Sequence, residues 1–537
     1  MAISAPPPVS DTAIRAAAKA RLAEESGDAS AALAALIAVA HADPASVGVR
    51  GRMLEQALIV GDQRRATEAA QLLWQAGEQR FDARMVLLVD AVQRGDWADA
   101  RSLVQVDGAK TGLDLTGRLI SPVVLAWIDV AARERDPARH LVRFGRIGDD
   151  QTPLWIGATI LLLAGDRNAA VGQAETLNLN HRTSRVVAAR LAATFAKRGD
   201  GAAASALATR LAGAPSDGLV ARLYIPPVAD ARQGIGHWLA LLGDGFARTP
   251  GGSNELSLLF TRAGQWLDPA DPFGQIALAE ALVQARQVDG ALAVLERGAA
   301  GAGAGNPFAL RRAELLAERG EVDHAVAVAM PASGVLPTDR AWLTRFADVA
   351  RRAKDPAVGE AVFDRLLALI NDGEDDGELR AALFIAKADI RIKQGRWAEA
   401  RPLLEAALAA GPNDPGTLNF VGYSALERRE NIPLALARVK AAWLGDPANA
   451  AITDSLGWAY VVTGDVARGV PLLERAARGE PANAVINEHL GDAYWKSGRF
   501  IEARYSWRAA ALVADDAMAG RLAAKLAGGL TEATLAP

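Results

Sequence analysis

Residues 454–465 read DSLGWAYVVTGD. Two glycines stand seven apart, an indole beside the first and an acid beside the second. A phosphate-cradling loop, a strained turn that presents a nucleophile and a helix-packing unit all place glycine near polar residues. Recurrence separates them, because a catalytic loop occurs once whereas a packing unit repeats.

The pattern recurs. Gly27-Asp28, Gly61-Asp62 and Gly95-Asp96 follow at intervals of 34, and Gly165-Asp166 and Gly199-Asp200 keep the same step. Small residues trail them in register at Ala32, Ala66, Ala100, Ala170 and Ala204. Ala291 and Ala325 continue the step, and Ala400, Ala435, Gly469 and Ala503 are spaced by 35, 34 and 34. Pro412, Pro447 and Pro481 keep pace with them. Between these marks, apolar residues recur at helical spacing, as in AIRAAAKARLAEE and RPLLEAALAA.

A 34-residue period with helical patterning resembles the tetratricopeptide repeat. Units 450–483 and 484–517 carry the likeness best. Leu456, Gly457 and Tyr460 match its first helix, A, and Leu473 and Ala476 its second, B. Leu490, Gly491 and Tyr494, then Ala503 and Ala510, do the same in the following unit. Three positions depart from the pattern: Thr453 for a frequent Trp, Gly469 for Ala, and Asp515 for the closing Pro. The resemblance implies an all-α, tetratricopeptide-like α-solenoid, a right-handed superhelix of antiparallel helix pairs. Small residues allow A and B to approach, and each pair buries its apolar face by stacking on the next. Gly464 and Gly498 fall where helix A must stop, a place for a left-handed residue.

Along the chain, residues 1–12 read as a disordered Pro-rich leader. A degenerate array follows at 13–245 and a middle array at 246–370. The acidic linker NDGEDDGE closes at 378, a C-terminal array runs over 379–526, and a flexible tail occupies 527–537. The Pro- and Gly-marked stretches 224–234 and 247–254 read as a break, with one continuous solenoid and irregular joints as the favoured arrangement.

Composition narrows the function. No cysteine occurs, which excludes disulfides, thiolate metal sites and cysteine nucleophiles. The net charge is −4, without the basic excess of a nucleic-acid binder. No transmembrane segment is expected. No Lys or Arg precedes Arg15, so a cytoplasmic address is expected, or a periplasmic one if a signal has been removed.

Loop-like motifs fail on their context. GAGAGN (301–306) follows a helical stretch where a dinucleotide loop needs a strand. GAKTG (108–112) lacks the glycine before Lys110, and GYSAL (422–426) has Leu426 where an elbow needs glycine. Asp372, Glu374 and Asp376 have calcium-loop spacing, but the closing position is Leu383. The six histidines form no zinc-binding pair, and His489 falls in the surface pattern of its helix. No catalytic residue, metal or cofactor is expected.

Tetratricopeptide arrays usually bind peptides or proteins on a concave face lined by A helices. The resemblance places Asp389 and Lys393, Asn419 and Tyr423, Asp454, Trp458 and Val462, and Glu488, Asp492, Trp495 and Lys496 on that face. Aromatic residues there suit binding anchors, and the acids suit an apolar or basic segment rather than a free carboxylate. Asp454 and Trp458, one turn apart, are expected to face an open groove. Over about 120 residues, from FVGYSALERRENIPLALARVKAAWLGDP through EHLGDAYWKSGRFIEARYSWRAA, the chain also resembles bacterial envelope repeat lipoproteins. Some of these present substrates to a processing protease, so a protease partner is a further expectation. The competing expectations are a helical-array enzyme such as a transferase and a self-associating structural protein.

Overall fold

A computed structural model describes residues 11–43, 47–105, 119–143, 152–214, 225–299, 306–330, 338–370 and 376–537. Among them are 28 α-helices and no strand, as the helical periodicity requires. GAKTG, residues 301–305 of GAGAGN, residues 371–375 of the acidic linker and most of the leader lie outside the described residues. Two compact units form, Met1–Val349 and Ala350–Pro537.

The repeated Gly-Asp is a joint between helices. Gly27, Gly61, Gly95, Gly165 and Gly199 take φ between +69° and +96°, the left-handed region that glycine enters at least cost. The aspartate that follows is the N-cap of the next helix. Asp28, Asp62, Asp96, Asp166 and Asp200 each accept a bond from the backbone N–H three residues on. One dipeptide thus ends a helix and starts another, and each cap contributes about 1 kcal/mol. Gly464 (φ +89°) and Asp465 repeat the device in the second unit.

Within the first unit, residues 225–230 and 249–253 form loops where the Pro and Gly signals stand, but the expected boundary between two arrays does not coincide with either. The 245/246 boundary falls inside the helix Ala231–Arg248. ARTPGGSN spans the end of that helix, a tight turn and the start of Asn254–Leu267. These two helices cross closely, because a Cβ on Gly264 would lie 2.7 Å from the Gly236 carbonyl oxygen. The pair returns onto the first repeats. Arg262 donates to the Leu58 and Ile59 carbonyls at 2.9 and 2.8 Å, and Gln93 donates to Trp266 O at 2.8 Å. Phe260 meets Phe81 edge-on and stacks on Phe246. GIGHWLALLGDGF is core sequence, and nothing local in it indicates what it packs against.

A buried charge cluster sits beside that crossing. Arg190 Nη2 lies 2.5 Å from Asp268 and Nη1 lies 2.9 Å from Asp271, which also accepts from His237 Nδ1 at 2.8 Å. Burial by itself would raise the Asp271 pKa, but the Arg190 charge and His237 outweigh it and hold it at about 2. Burial and Arg190 together push His237 down.

The second unit is regular. Helix pairs Gly377–Lys393 with Trp397–Ala410, Pro415–Glu427 with Ile432–Gly445, Ala450–Val462 with Val466–Gly479, and Ala484–Lys496 with Phe500–Ala511 follow in order. The helix Asp516–Gly528 packs on the last pair. Its glycines do what the repeat demands: a Cβ on Gly457 would lie 2.8 Å from Leu473 Cγ, and one on Gly422 would lie 2.7 Å from Val439 Cγ2. Ala476, Ala503 and Ala510 are fully buried at the equivalent contacts. The C-terminal array begins at Gly377, inside the expected linker, and within the expected flexible tail Leu530, Leu535 and Ala536 pack on the apolar cluster while Thr531, Glu532 and Ala533 are exposed.

Candidate functional site

The helices Ala450–Val462 and Ala484–Lys496 carry the most distinctive chemistry of the second unit. Asn449 and Asn483 cap them, each accepting from the N–H groups of the first turn. Asp454 and Trp458 lie one turn apart on the first, Glu488 and Asp492 on the second. The structure brings these four together with Tyr423. His489 joins them, buried to 1% exposure against its expected surface position. Its Nδ1 is 2.8 Å from Asp454 Oδ2, and its ring stacks on Trp458 with centroids 4.3 Å apart and planes 8° from parallel. The Tyr423 ring centroid is 6.2 Å from that of His489. Burial, reinforced by Glu427, Asp454 and Glu488, raises the Tyr423 pKa far above the phenolic range.

The open floor expected here is corrected. Trp458 is 0% exposed, and Asp454, Glu488 and Asp492 are buried. The chain itself covers them. From the helix Asp516–Gly528, Arg521 makes two 2.7 Å bonds to Glu488, and Lys525 Nζ reaches Glu488 at 2.6 Å and Asp492 at 2.8 Å. Beyond Gly529 the chain turns at residues 531–535, where Leu535 N–H donates to Thr531 O at 2.9 Å. It then enters the cluster. Ala536 N–H donates to Asp492 Oδ2 at 2.8 Å, and the Trp458 indole N–H donates to the Pro537 carbonyl at 2.7 Å. Ala536 is 1% exposed, and Leu530 and Leu535 pack on the same apolar cluster as Trp458 and Leu522.

The two acids of the second helix respond differently. Burial opposes ionisation of Glu488, but the bonds from Arg521 and Lys525 outweigh it and its pKa lies below the usual value. Asp492 accepts from Lys525, Ala536 N–H and Trp507 Nε1, yet burial dominates and its pKa lies above the usual value. Asp454 Oδ1 is buried without a hydrogen-bond partner.

The remaining expected residues are dispersed. Asp389 and Lys393 pair with each other at 2.7 Å. Asn419 Oδ1 is buried and has no hydrogen-bond partner, and Val462 is half-buried. Trp495 lies against Phe500, Trp507 and Gly529, and Lys496 is exposed. Sequence reasoning missed His489, Arg521, Lys525 and the covering tail. A signal for two of them was present: acids at 488 and 492 and bases at 521 and 525 share a spacing of four, which matches one helix face to another.

Groups of His, Asp or Glu able to hold a metal are absent among the described residues, and no helix there is long and apolar enough to cross a membrane.

The fold and site define a helical-repeat protein. The tetratricopeptide repeat model matches residues 344–415, 385–450 and 455–519, all within or next to the second unit. Such repeats generally serve as protein–protein interaction scaffolds. No curated protein matches the chain. Among solved structures it is similar to yeast Tom70, at 12% identity over 94% of this chain and 92% of that one, with a TM-score of 0.35. It is similar to the APC/C hetero-tetramer Cut9–Hcn1 at 13% identity over 97% of each chain, TM-score 0.33. Pseudomonas aeruginosa PilF matches at 16% identity over 35% of this chain and 82% of its own, TM-score 0.29. None of these likenesses bears on individual residues.

Proposed function

We propose that the chain is a non-catalytic scaffold that binds an apolar and basic protein segment through its second unit. The observation that carries this reading is the chemistry of what already sits on the Asp454–Trp458–Glu488–Asp492 floor: a helix bearing Arg521, Leu522 and Lys525, and a tail bearing Leu535 and Ala536. A surface that accepts those groups from its own chain suits them in a partner. Tyr423, whose ring centroid lies 6.2 Å from that of His489, adjoins this floor from the preceding repeat. An adaptor that presents such a segment to a protease is one form this scaffold takes.

Selection of a random peptide library on the immobilised full chain tests the reading. Peptides that combine Lys or Arg with Leu are expected to be enriched, and Tyr423→Ala should abolish the enrichment. No enrichment, or enrichment of acidic peptides, removes it.

A further inference from the structure

We infer that residues Gly529–Pro537 are a displaceable internal ligand of this floor, and that a partner binds by taking their place with an apolar segment that carries a basic side chain. The inference rests on the scaffold reading above.

Three observations separate the tail from the helix that precedes it. The first is the joint. Gly529 has φ +84° and ψ −176°, a conformation essentially reserved for glycine, and an added Cβ would collide with Trp495 Cζ2. The second is the attachment. The helix Asp516–Gly528 is bound by buried ion pairs, whereas the tail is held by two hydrogen bonds, at Asp492 and Trp458, and a few apolar contacts. Thr531, Glu532, Ala533 and Pro537 remain exposed, so little burial offsets the entropy of ordering them.

The third is an unmet demand. With the tail in place, Asp454 Oδ1 is buried and accepts no hydrogen bond. Such a group favours a ligand that brings a donor. The tail has main-chain donors and no basic side chain. A segment with one satisfies the floor better, and this difference drives the exchange.

The test uses the amidated peptide LTEATLAP, residues 530–537, labelled for fluorescence anisotropy. It is titrated into the full chain, Gly529→Ala, and a chain lacking 530–537. Circular dichroism and denaturant midpoints check folding, and hydrogen exchange at Ala536 reports whether the tail has left. The truncated chain should bind saturably, and at least about tenfold more tightly than the intact chain, whose tail competes. Gly529→Ala should lose Ala536 protection and bind as the truncated chain does. Trp458→Phe in the truncated background should weaken binding about tenfold through loss of one donor. Among peptides with Lys at each position in turn, at least one should bind more tightly than the parent.

A folded truncated chain that does not bind overturns the inference. Equal binding by intact and truncated chains does so too, as does a lysine scan without any gain. Tail-peptide binding with a failed library selection would remove the scaffold reading, and with it the displacing partner, while leaving the tail as an internal ligand. Successful selection without tail-peptide binding would remove the internal ligand alone.

Discussion

His489 stacks face to face on Trp458, with centroids 4.3 Å apart, while its Nδ1 lies 2.8 Å from Asp454. The carboxylate one turn before the indole therefore orients the ring that covers it. Two residues from one repeat clamp one residue from the next, and the joint between repeats is polar at its centre.

That joint yields the first prediction. Trp458→Ala should destabilise the second unit by about 3–5 kcal/mol, the range for removing a buried aromatic. Trp458→Phe retains much of the packing and loses the bond to Pro537, at about 1 kcal/mol. Urea denaturation followed by circular dichroism checks both. A Trp458→Ala cost close to zero would mean that the ring is not enclosed.

Lys525 is a stronger point of failure. Its ammonium is fully buried between Glu488 and Asp492. Lys525→Met leaves two carboxylates without that charge and should cost about 3–5 kcal/mol. Adding Glu488→Gln and Asp492→Asn should recover part of the loss. A double-mutant cycle that shows no coupling would place Lys525 in solvent.

The two glycines of DSLGWAYVVTGD should fail by different routes. Gly464→Ala meets open space but must hold φ near +89°, at a cost of about 1 kcal/mol. Gly457→Val pushes side-chain bulk into Leu473, and Ala503→Trp overpacks the equivalent contact of the next repeat. Each should cost about 1–3 kcal/mol. Unchanged denaturant midpoints for the latter pair would mean that the repeat register is wrong.

The first unit should lose stability in acid. In the unfolded chain Asp271 takes up a proton near 3.8, whereas the folded chain holds it ionised down to about 2. Its stabilisation, about 2 kcal/mol, is therefore complete above the unfolded value and lost as pH falls through the folded one. Midpoints measured from pH 5 to pH 2 should show the loss, and Asp271→Asn should flatten that part of the profile. An unaltered profile in the variant would remove Asp271 as the cause.

Much of this molecule was legible because repeat physics is local. Gly464 ends a helix and Gly457 admits its neighbour for reasons contained within one 34-residue unit. Two things were not legible. The return of the Ala231–Arg248 and Asn254–Leu267 pair onto the first repeats joins residues about 200 apart in sequence. The covering of Trp458 depends on a tail whose own sequence, LTEATLAP, reads as ordinary loop. His489 was misplaced for a narrower cause: the groups that enclose it, Asp454, Trp458 and Tyr423, belong to preceding repeats.

The Arg262 bonds to Leu58 and Ile59 carry a mechanical consequence. In the second unit each helix pair touches mainly its neighbours, so a pull at one end can peel repeats away in sequence. In the first unit, Arg262 and Gln93 bolt a late helix pair to early ones, and peeling is blocked until those bonds give way. Stretched between two handles, the second unit should yield in small successive steps and the first in one larger rupture.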